Sequence, residues 1–333
     1  MTRSADEVEI RDLGVDDATG LIACVRRCYG ESYAESDFYD PQRLRRELRA
    51  GRLLSVGALV GGRVVGHIGA RVDPSGGKVA ETVGGIVDPD FRGTGLTRRI
   101  GARLVERYRS MGVVATIHIA TGAHDRTQRL IVAAGGVPTG VLLGYLAAGT
   151  DYRGIEHRFG EARQGVVVYA QIDAPLEALT VHVTSTYSDR VRDIYEQLGL
   201  DRRVISDPSP DTAEETVDVT VDHDERRGIS WLRFGTGAGS RPAAAAVPNE
   251  LRSCQEAVYA DVPIADPRSP GILHLLARHG FFFGALLPGG PDSERIRVQS
   301  IGRALVAPDA IVTGSDAGRS LLAWIAGQQP PIT

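Results

Sequence analysis

Residues 84–104, GGIVDPDFRGTGLTRRIGARL, place an arginine and two glycines immediately before a basic amphipathic helix. The first turn of a helix has unpaired backbone N–H groups and a partial positive charge, which together suit a phosphate group. Gly93 and Gly95 lack Cβ atoms and let an anion approach the backbone, while Arg92 adds a fixed positive charge. The pattern predicts an anion-binding turn; a tight glycine turn beside a solvated arginine is the competing interpretation.

Two common phosphate-binding loops do not fit this segment. A Walker P-loop requires Gly-Lys-Ser/Thr, which does not follow Gly95, and the glycine pattern of dinucleotide-binding loops is absent. The turn also follows the fourth predicted strand, whereas a dinucleotide-binding loop follows the first. The anion expected here therefore belongs to another kind of ligand.

The elements that position this turn follow from periodicity, helix caps and turn residues in the first half of the chain. Their order is strand, two helices, three strands, helix, strand, helix and two strands, which is an α/β (α+β) fold class. A turn at 73–77 precedes the fourth strand. The expected strands are 8–13, 53–60, 63–72, 79–87, 113–120, 137–147 and 166–173, and the expected helices are 16–30, 41–50, 96–111 and 125–134.

The second half of the chain has fewer regular patterns. Loops rich in Asp, Pro, Gly and Ala are expected at 206–212 and 235–248, and the run Phe281-Phe282-Phe283 indicates a core strand rather than a ligand stack. The expected strands are 179–184, 216–222, 229–234, 257–264, 281–287 and 295–301, and the expected helices are 189–198, 270–279 and 317–326.

The segment VDPDFRGTGL and the element order around it resemble the GNAT N-acyltransferase superfamily. The family signature Arg/Gln-x-x-Gly-x-Gly/Ala reads Arg92-x-x-Gly95-x-Thr97 here, with a larger residue at the last position. The resemblance covers about residues 5–173 and implies the GNAT fold, a mixed and mostly antiparallel sheet flanked by helices. It implies a GNAT acetyltransferase domain at 1–173. The late helix and strands of 174–333 look like a second, degenerate GNAT-like domain without a cofactor signature.

The resemblance implies that acetyl-CoA binds as a co-substrate and that no metal is used. Its pyrophosphate would lie on the backbone amides of 93–98, and its pantetheine would pair like an extra strand with 85–87. Arg98 and Arg99 could reach CoA phosphates, although arginines on the solvated face of a helix need no such role. The residues assigned to CoA are Gly85, Ile86, Val87, Arg92, Gly93, Thr94, Gly95, Leu96, Thr97, Arg98 and His124.

The resemblance also implies a general base. GNAT enzymes often use a glutamate eleven residues before the signature arginine, which is Glu81 here; a solvated glutamate just after the turn is the alternative. His67, on the neighbouring predicted strand, could shuttle a proton near neutral pH, and a half-buried structural histidine is the other interpretation.

The family's usual general acid is absent. The fourth helix of GNAT enzymes often carries Asn-x-x-Ala-x-x-Leu-Tyr, and aligning Leu130 with the leucine puts His124 at the asparagine and Ile131 at the tyrosine. Isoleucine cannot protonate a thiolate. A thiol with a pKa of about 8.5 is nevertheless a tolerable leaving group. Either another residue acts as the acid or none does.

The acceptor is expected at the segment GESYAESDFYDP, because GNAT enzymes usually shape the acceptor pocket there. Tyr33, Phe38 and Tyr39 are candidate substrate-lining residues, with simple lid packing as the alternative. Two functions follow. One is an N-acetyltransferase that moves acetyl from acetyl-CoA to the amine of a small molecule. The other is a non-catalytic acyl-CoA-binding or partner-binding module.

Composition limits the partners and the location. A net charge of -4 gives no general attraction to nucleic acid or to an anionic membrane. The first residues contain no apolar run, so we expect a cytoplasmic protein. Three cysteines cannot form a disulfide framework, and Cys24 and Cys28 indicate two small buried hydrophobes rather than a metal pair. A homodimer is left open.

Overall fold

The computed structural model describes residues 8–72, 78–206, 216–238, 241–242, 257–302 and 304–330. The chain divides into two compact units. Unit 1 contains residues 1–119 and 149–156, and unit 2 contains residues 120–148 and 157–333. The predicted turn at 73–77, and parts of the predicted loops at 206–212 and 235–248, lie outside the described residues.

Unit 1 confirms the predicted order of elements around the glycine turn. Its elements are β1 (Glu9–Asp12), α1 (Ala18–Tyr29), α2 (Pro41–Arg49), β2 (Leu53–Val60), β3 (Arg63–Arg71), β4 (Val79–Val87), α3 (Leu96–Met111) and the first part of β5 (Ala115–Thr121). The strands are hydrogen-bonded in the order β1-β2-β3-β4-β5. Every neighbouring pair is antiparallel except β4 and β5, which are parallel.

Local sequence signals explain the helix boundaries in unit 1. Gly30 ends α1 in a positive-φ conformation, at φ 59°, which costs a glycine little. The carboxylate of Asp40 accepts hydrogen bonds from the backbone N–H groups of Gln42 and Arg43, at 2.8 and 3.0 Å, and so caps α2. Pro41 occupies the first turn of α2, where its missing N–H has no intrahelical partner to lose.

Two hydrophobic cores lie on opposite faces of the unit 1 sheet. On one face, α1 and α2 pack against the strands through residues such as Leu21 and Leu44, both fully buried. On the other face, α3 packs through Ile100 and Leu104. Met111, at the end of α3, is 42% exposed. Burial on both faces makes the sheet a rigid support for the β4–α3 turn.

Unit 2 contains the remaining elements. These are α4 (Arg126–Ala133), β6 (Val137–Leu146), β7 (Gln164–Ile172), β8 (Leu179–Val183), α5 (Ser185–Leu198), β9 (Arg202–Ser206), β10 (Thr216–Asp224), β11 (Ile229–Ala238), β12 (Arg241–Pro242), β13 (Ala257–Pro263), α6 (Ser269–Arg278), β14 (Phe282–Leu287), β15 (Arg295–Ser300) and α7 (Asp316–Ala326). Most of its strands lie in the order β7-β6-β14-β15-β13-β11-β10-β12, and β8 and β9 form a separate parallel pair. Strand β9 was not predicted.

The topology within unit 2 repeats a sequence of elements found earlier in the chain. The order β13, α6, β14, β15 matches the order β5, α4, β6, β7, and β14–β15 is an antiparallel pair like β6–β7. Strand β11 runs parallel to β13, as β4 runs parallel to β5. The predicted core strand is confirmed, since Phe281, Phe282 and Phe283 are at most 3% exposed.

The domain boundary predicted at 173/174 does not coincide with the division into compact units. Strand β6 is hydrogen-bonded to β14, with Gly140 opposite Ala285, so β6 and β7 belong to the same unit as the later strands. A Cβ at Gly140 would lie 2.2 Å from the carbonyl oxygen of Gly284, so this close approach requires glycine. The boundary stays a prediction. None of the helices among the described residues is long and apolar enough to cross a membrane.

Candidate functional site

A bulge interrupts β4 at Gly84 and Gly85. The ladder between β3 and β4 shifts register here, and Gly84 has a φ of 63°, which favours glycine. Val83 and Ile86 pack into the same hydrophobic core although they are three residues apart. Side chains three residues apart on a regular strand point to opposite faces of the sheet, so the extra residue in the bulge must bring Val83 and Ile86 to the same face. This bulge was not predicted, although two consecutive glycines within a predicted strand can signal one.

Both polar backbone groups of Gly84 are held by side chains. Its N–H donates to the hydroxyl of Tyr33 at 2.9 Å, and its carbonyl oxygen lies 2.8 Å from Nδ1 of His67. A Cβ at this position would lie 2.8 Å from His67 Nδ1 and from Cζ of Phe38. The bulge is therefore closed on the side of α1 and α2.

Gly85, in contrast, is exposed, and a Cβ added to it would meet nothing within 4 Å. The parallel ladder between β4 and β5 pairs Val79 with Ala115 and reaches Thr82, opposite His118. Within the described residues it does not continue along the second half of β4. That half, which includes the CoA-assigned residues 85–87, has the extended backbone that a strand-like ligand needs.

The turn after β4 has the open backbone expected of an anion site. Gly93 and Gly95 both have a φ of 79°, both are exposed, and a Cβ on either would meet nothing within 4 Å. Gly95 is the N-cap of α3, and the N–H of Arg99 makes a bond to its carbonyl oxygen at 3.2 Å. This is the first hydrogen bond within α3, so the N–H groups of residues 96–98, which come before Arg99, have no intrahelical acceptor.

Side-chain contacts hold this turn in place. The hydroxyl of Thr94 donates to the carbonyl oxygen of Phe91 at 2.6 Å. Arg92 does not extend freely into solvent: its Nη1 donates to the carbonyl oxygen of Arg153 at 2.5 Å, and its Nε to that of Val87 at 3.3 Å. The guanidinium thus connects the turn to the segment 149–156 while keeping its positive charge beside the turn.

The buried carboxylate of Asp88 anchors the same turn. Asp88, at 2% exposure, binds Arg27 Nε at 2.6 Å and Arg63 Nη2 at 2.8 Å, and it accepts from the backbone N–H of Asp90 at 3.2 Å. Burial alone would raise the pKa of Asp88, but the hydrogen bonds from the two arginines hold it below its usual value. Sequence reasoning missed this network because its members are far apart in the chain.

Glu81 lies half-buried on β4, on the face covered by α1 and α2. It shares that face with Val83 through strand alternation, and it stands directly opposite Arg71 on β3. Arg71 Nη2 lies 2.7 Å from Glu35 Oε2 and 3.0 Å from Asp37 Oδ2, both in the predicted acceptor segment. The structure thus brings the candidate base and the acceptor segment to the same region.

His67 is fully buried, at 0% exposure, rather than half-buried as predicted. Its Nε2 lies 2.7 Å from the hydroxyl oxygen of Ser55 and its Nδ1 contacts Gly84, so both ring nitrogens have partners within the core. Burial lowers the pKa of His67 to about 4, although the hydrogen bond to Gly84 opposes the shift. This environment favours the structural interpretation of His67 over a solvent-linked proton shuttle.

The three aromatic residues proposed to line the acceptor site have different environments. Phe38 is fully buried and packs edge-on against His67, with ring centroids 5.6 Å apart, so it belongs to the core. The hydroxyl of Tyr39 donates to the carbonyl oxygen of Gly30 at 2.9 Å and accepts from the N–H of Tyr33 at 3.0 Å, which closes the loop. Tyr33 is half-buried and contacts the β4 bulge.

The remaining predicted site residues lie in unit 2 or in the core. His124 precedes α4, and its Nδ1 accepts from the backbone N–H of Arg126 at 3.3 Å. Ile131, which stands where a tyrosine acid was expected, packs against the backbone at Gly136. Cys24 and Cys28 are buried free thiols, and among the described residues no His, Cys, Asp and Glu side chains form a group that could hold a metal ion.

Comparison with known proteins identifies the domain that contains this site. The sequence model of the Acetyltransferase (GNAT) family matches residues 19–135, from α1 through α4. The chain carries a GNAT acetyltransferase domain. The family is one of acetyltransferases, and the matched domain includes the bulge, the glycine turn, Glu81 and His67. No curated protein matches the chain significantly.

Solved acetyltransferase structures also resemble the chain. The ribosomal-protein-S18-alanine N-acetyltransferase of Escherichia coli is 14% identical, with 51% of this chain and 96% of that chain covered and a TM-score of 0.41. The PaiA N-acetyltransferase of Thermoplasma acidophilum, solved with coenzyme A, is 16% identical over 50% and 98% of the two chains, with a TM-score of 0.37. A ribosomal-protein-alanine N-acetyltransferase of Brucella melitensis is 19% identical over 49% and 99%, with a TM-score of 0.39.

Proposed function

We propose that the GNAT domain transfers the acetyl group of acetyl-CoA directly to the amine of a small molecule. The observation that carries this proposal is the presence of two open stretches of backbone in unit 1. One is at the exposed bulge residue Gly85, and the other is the exposed glycine turn that caps α3. An extended ligand with an anionic end fits such a backbone, because it needs a strand edge followed by free helix N–H groups.

Acetyl-CoA would lie along this backbone. The pantetheine arm would pair with 85–87, and the pyrophosphate would occupy the N–H groups of 93–98. The space that a Cβ would fill at Gly93 and Gly95 is open, so the phosphate oxygens can reach the backbone there. The charge of Arg92 lies beside them, held by its contacts to backbone carbonyls. His124 is assigned to CoA on family resemblance alone.

Acetyl-CoA supplies the acetyl group as a thioester; the chain's own groups must move one proton and stabilise one developing negative charge. We assign Glu81 as the general base, which takes the proton of the acceptor amine either directly or through a water molecule. The N–H of Gly85 is the donor for the thioester carbonyl oxygen, where negative charge grows during attack. Ile131 cannot supply a proton to the departing thiolate, so we assign no residue as the acid.

The acceptor would enter beside the segment 30–41. Tyr33 contacts the bulge from that segment, and Glu35 and Asp37 are tied to Arg71 next to Glu81. These contacts support an acceptor site bordered by the segment 30–41 and β4. Phe38 and Tyr39 would support the site from within the loop rather than touch the acceptor.

We also propose that the later part of unit 2 is a degenerate second GNAT-like copy. The repeated chain order and the same pattern of parallel and antiparallel neighbours support this proposal. In a GNAT domain the phosphate-binding turn follows the strand that corresponds to β11. Here that stretch is largely residues 243–256, outside the described residues, and its sequence contains no Arg/Gln-x-x-Gly-x-Gly.

One observation favours a second candidate function. Because Ile131 replaces the tyrosine acid of the family, the domain could bind acyl-CoA without transferring its acyl group. The test is to measure acetyl-CoA binding by calorimetry and CoA thiol release with a panel of small amines and N-terminal peptides. Release with a small amine supports the proposal. Release with peptides alone changes the acceptor class, binding without any release supports the second candidate, and no binding contradicts both.

A further inference from the structure

We infer that His67 is a positioning residue of the proposed acetyl transfer: it fixes the Gly84–Gly85 peptide so that the N–H of Gly85 faces the acyl group. This inference rests on the proposed function. It replaces the predicted shuttle role of His67 with an orienting one. The geometry that supports it is the row Ser55–His67–Gly84, which crosses three neighbouring strands in the core.

The hydrogen bonds define the tautomer of His67. The carbonyl oxygen of Gly84 can only accept, so Nδ1, at 2.8 Å, must carry the proton. In the neutral ring Nε2 then has a lone pair, and the hydroxyl of Ser55, at 2.7 Å, donates to it. Ser55 is only 5% exposed. It therefore keeps the imidazole in the one tautomer that can hold Gly84.

The planar trans peptide transmits this contact to Gly85. The carbonyl of Gly84 and the N–H of Gly85 belong to the same peptide group and point in opposite directions. Since His67 holds the carbonyl toward the core, the N–H points away from the imidazole, at a residue that is exposed. A donor with this fixed direction costs no reorganisation when charge develops on a bound carbonyl oxygen.

This peptide needs an external restraint because glycine flanks it on both sides. Glycine reaches both signs of φ readily, so a Gly-Gly peptide can turn over more easily than one between ordinary residues. The contact from Tyr33 restrains the N–H of Gly84, which belongs to the preceding peptide plane. The hydrogen bond from His67 is the contact that acts on that plane directly.

A proton shuttle would need a histidine that changes its charge near neutral pH and reaches solvent. His67 is fully buried, and it contacts Ser55, Gly84 and the ring of Phe38. An orienting role requires the opposite behaviour, a ring that stays neutral and keeps one tautomer across the working pH range.

The test compares His67→Asn with His67→Leu in the full chain. The asparagine amide can replace Nδ1 as donor to Gly84, whereas leucine has similar bulk and no donor. We expect His67→Leu to lower kcat by about 10²-fold, as for loss of one oxyanion donor, and His67→Asn to stay within about threefold of the wild type. Acetyl-CoA affinity should change by less than about threefold in both variants, because the pyrophosphate and pantetheine contacts remain.

A second readout does not depend on turnover. The infrared stretch of the thioester carbonyl of acetyl-CoA should move to lower frequency on binding to the wild type and to His67→Asn, but not to His67→Leu. Should His67→Leu fail to fold, Ser55→Ala takes its place, since it removes the group that sets the tautomer. It should give a partial loss of the same shift.

The outcomes separate this inference from the proposed function. If the wild type does not bind acetyl-CoA, the proposed function fails and this inference fails with it. If the wild type binds and transfers acetyl but His67→Asn loses as much kcat as His67→Leu, the orienting role is overturned. An apparent pKa between 6 and 7 in the wild-type pH profile that disappears in His67→Asn overturns it in favour of a shuttle.

Discussion

The guanidinium of Arg92 donates a hydrogen bond of 2.5 Å to the carbonyl oxygen of Arg153, sixty-one residues further along the chain. Through this contact the glycine turn is attached to segment 149–156, which also bonds to the end of α1 through Arg153 N–H and the carbonyl oxygen of Cys28, at 3.1 Å. The turn therefore takes its position from tertiary contacts as well as from α3. Arg92 supplies both a charge and an anchor.

Replacing Arg92 by glutamate should weaken acetyl-CoA binding at least tenfold, about 1.4 kcal/mol, because a negative charge then faces the pyrophosphate and the anchor is lost. Calorimetry on the full chain measures this. Arg109→Glu is the matched control, since it makes the same charge change at the other, exposed end of α3. Equal affinity in Arg92→Glu and the wild type would contradict the assigned anion site.

Glu81→Gln should lower turnover by roughly 10²-fold while leaving acetyl-CoA affinity nearly unchanged, because the amide keeps the shape of the side chain but cannot accept the proton as a base. The loss should shrink as pH rises, since more of the acceptor amine is then already deprotonated. Steady-state kinetics across pH test both points. Glu106→Gln, on the exposed surface of α3, controls for loss of a carboxylate. Normal turnover of Glu81→Gln at pH 7 would remove Glu81 from the mechanism.

Gly95→Ala and Gly101→Ala make the same chemical change at two positions near the start of α3. Gly95 has a φ of 79°, so alanine there is strained by about 1 kcal/mol and its methyl group enters the space proposed for phosphate. Gly101 lies within the helix, where a Cβ meets nothing within 4 Å, and alanine should stabilise the protein by about 0.5–1 kcal/mol. Gly95→Ala should therefore lower the melting temperature and weaken acetyl-CoA binding, whereas Gly101→Ala should raise the melting temperature without weakening binding. Thermal unfolding and acetyl-CoA titration measure these effects. Weaker binding in both variants would argue against the site.

The buried state of His67 predicts how stability depends on pH. Its pKa is about 4 in the folded protein, below the ordinary value of 6.5, so the unfolded chain binds more protons between these two values. The stability that depends on the neutral ring is complete above about pH 6.5 and is lost as pH falls through 4. The loss amounts to about 3 kcal/mol in total.

Urea unfolding at pH 7 and pH 4.5 measures this effect as the difference between the wild type and His67→Asn. The wild type should lose more of its free energy of unfolding on acidification, because asparagine does not titrate. A parallel decline in both proteins would show that His67 does not titrate with the depressed pKa.

The sequence was a good guide to the elements and to the glycine turn. The strand at 79–87 and the helix at 96–111 follow from short-range patterns, and the structure confirms both. Strand β9 was missed because RRVIS shows no alternation of apolar and polar residues. Its pairing with β8, in parallel register, stabilises it instead.

Site residues were predictable only where their role depends on local backbone. Gly93 and Gly95 could be assigned from sequence because helix N–H groups and positive φ are local properties. The environment of Phe38 was not predictable, since its burial depends on His67 and on β4, which are distant in the chain.

By itself, the sequence determined the order of helices and strands in unit 1, the open turn that begins α3 and the resemblance to GNAT enzymes. Those features depend on periodicity, glycine and charge within about twenty residues. Only the tertiary structure decided that His67 is a buried neutral ring bound to Gly84, that Arg92 is tied to Arg153, and that β6 pairs with β14. Burial, tautomer and strand partners are set by groups that meet only after folding, and a linear sequence does not specify which groups those are.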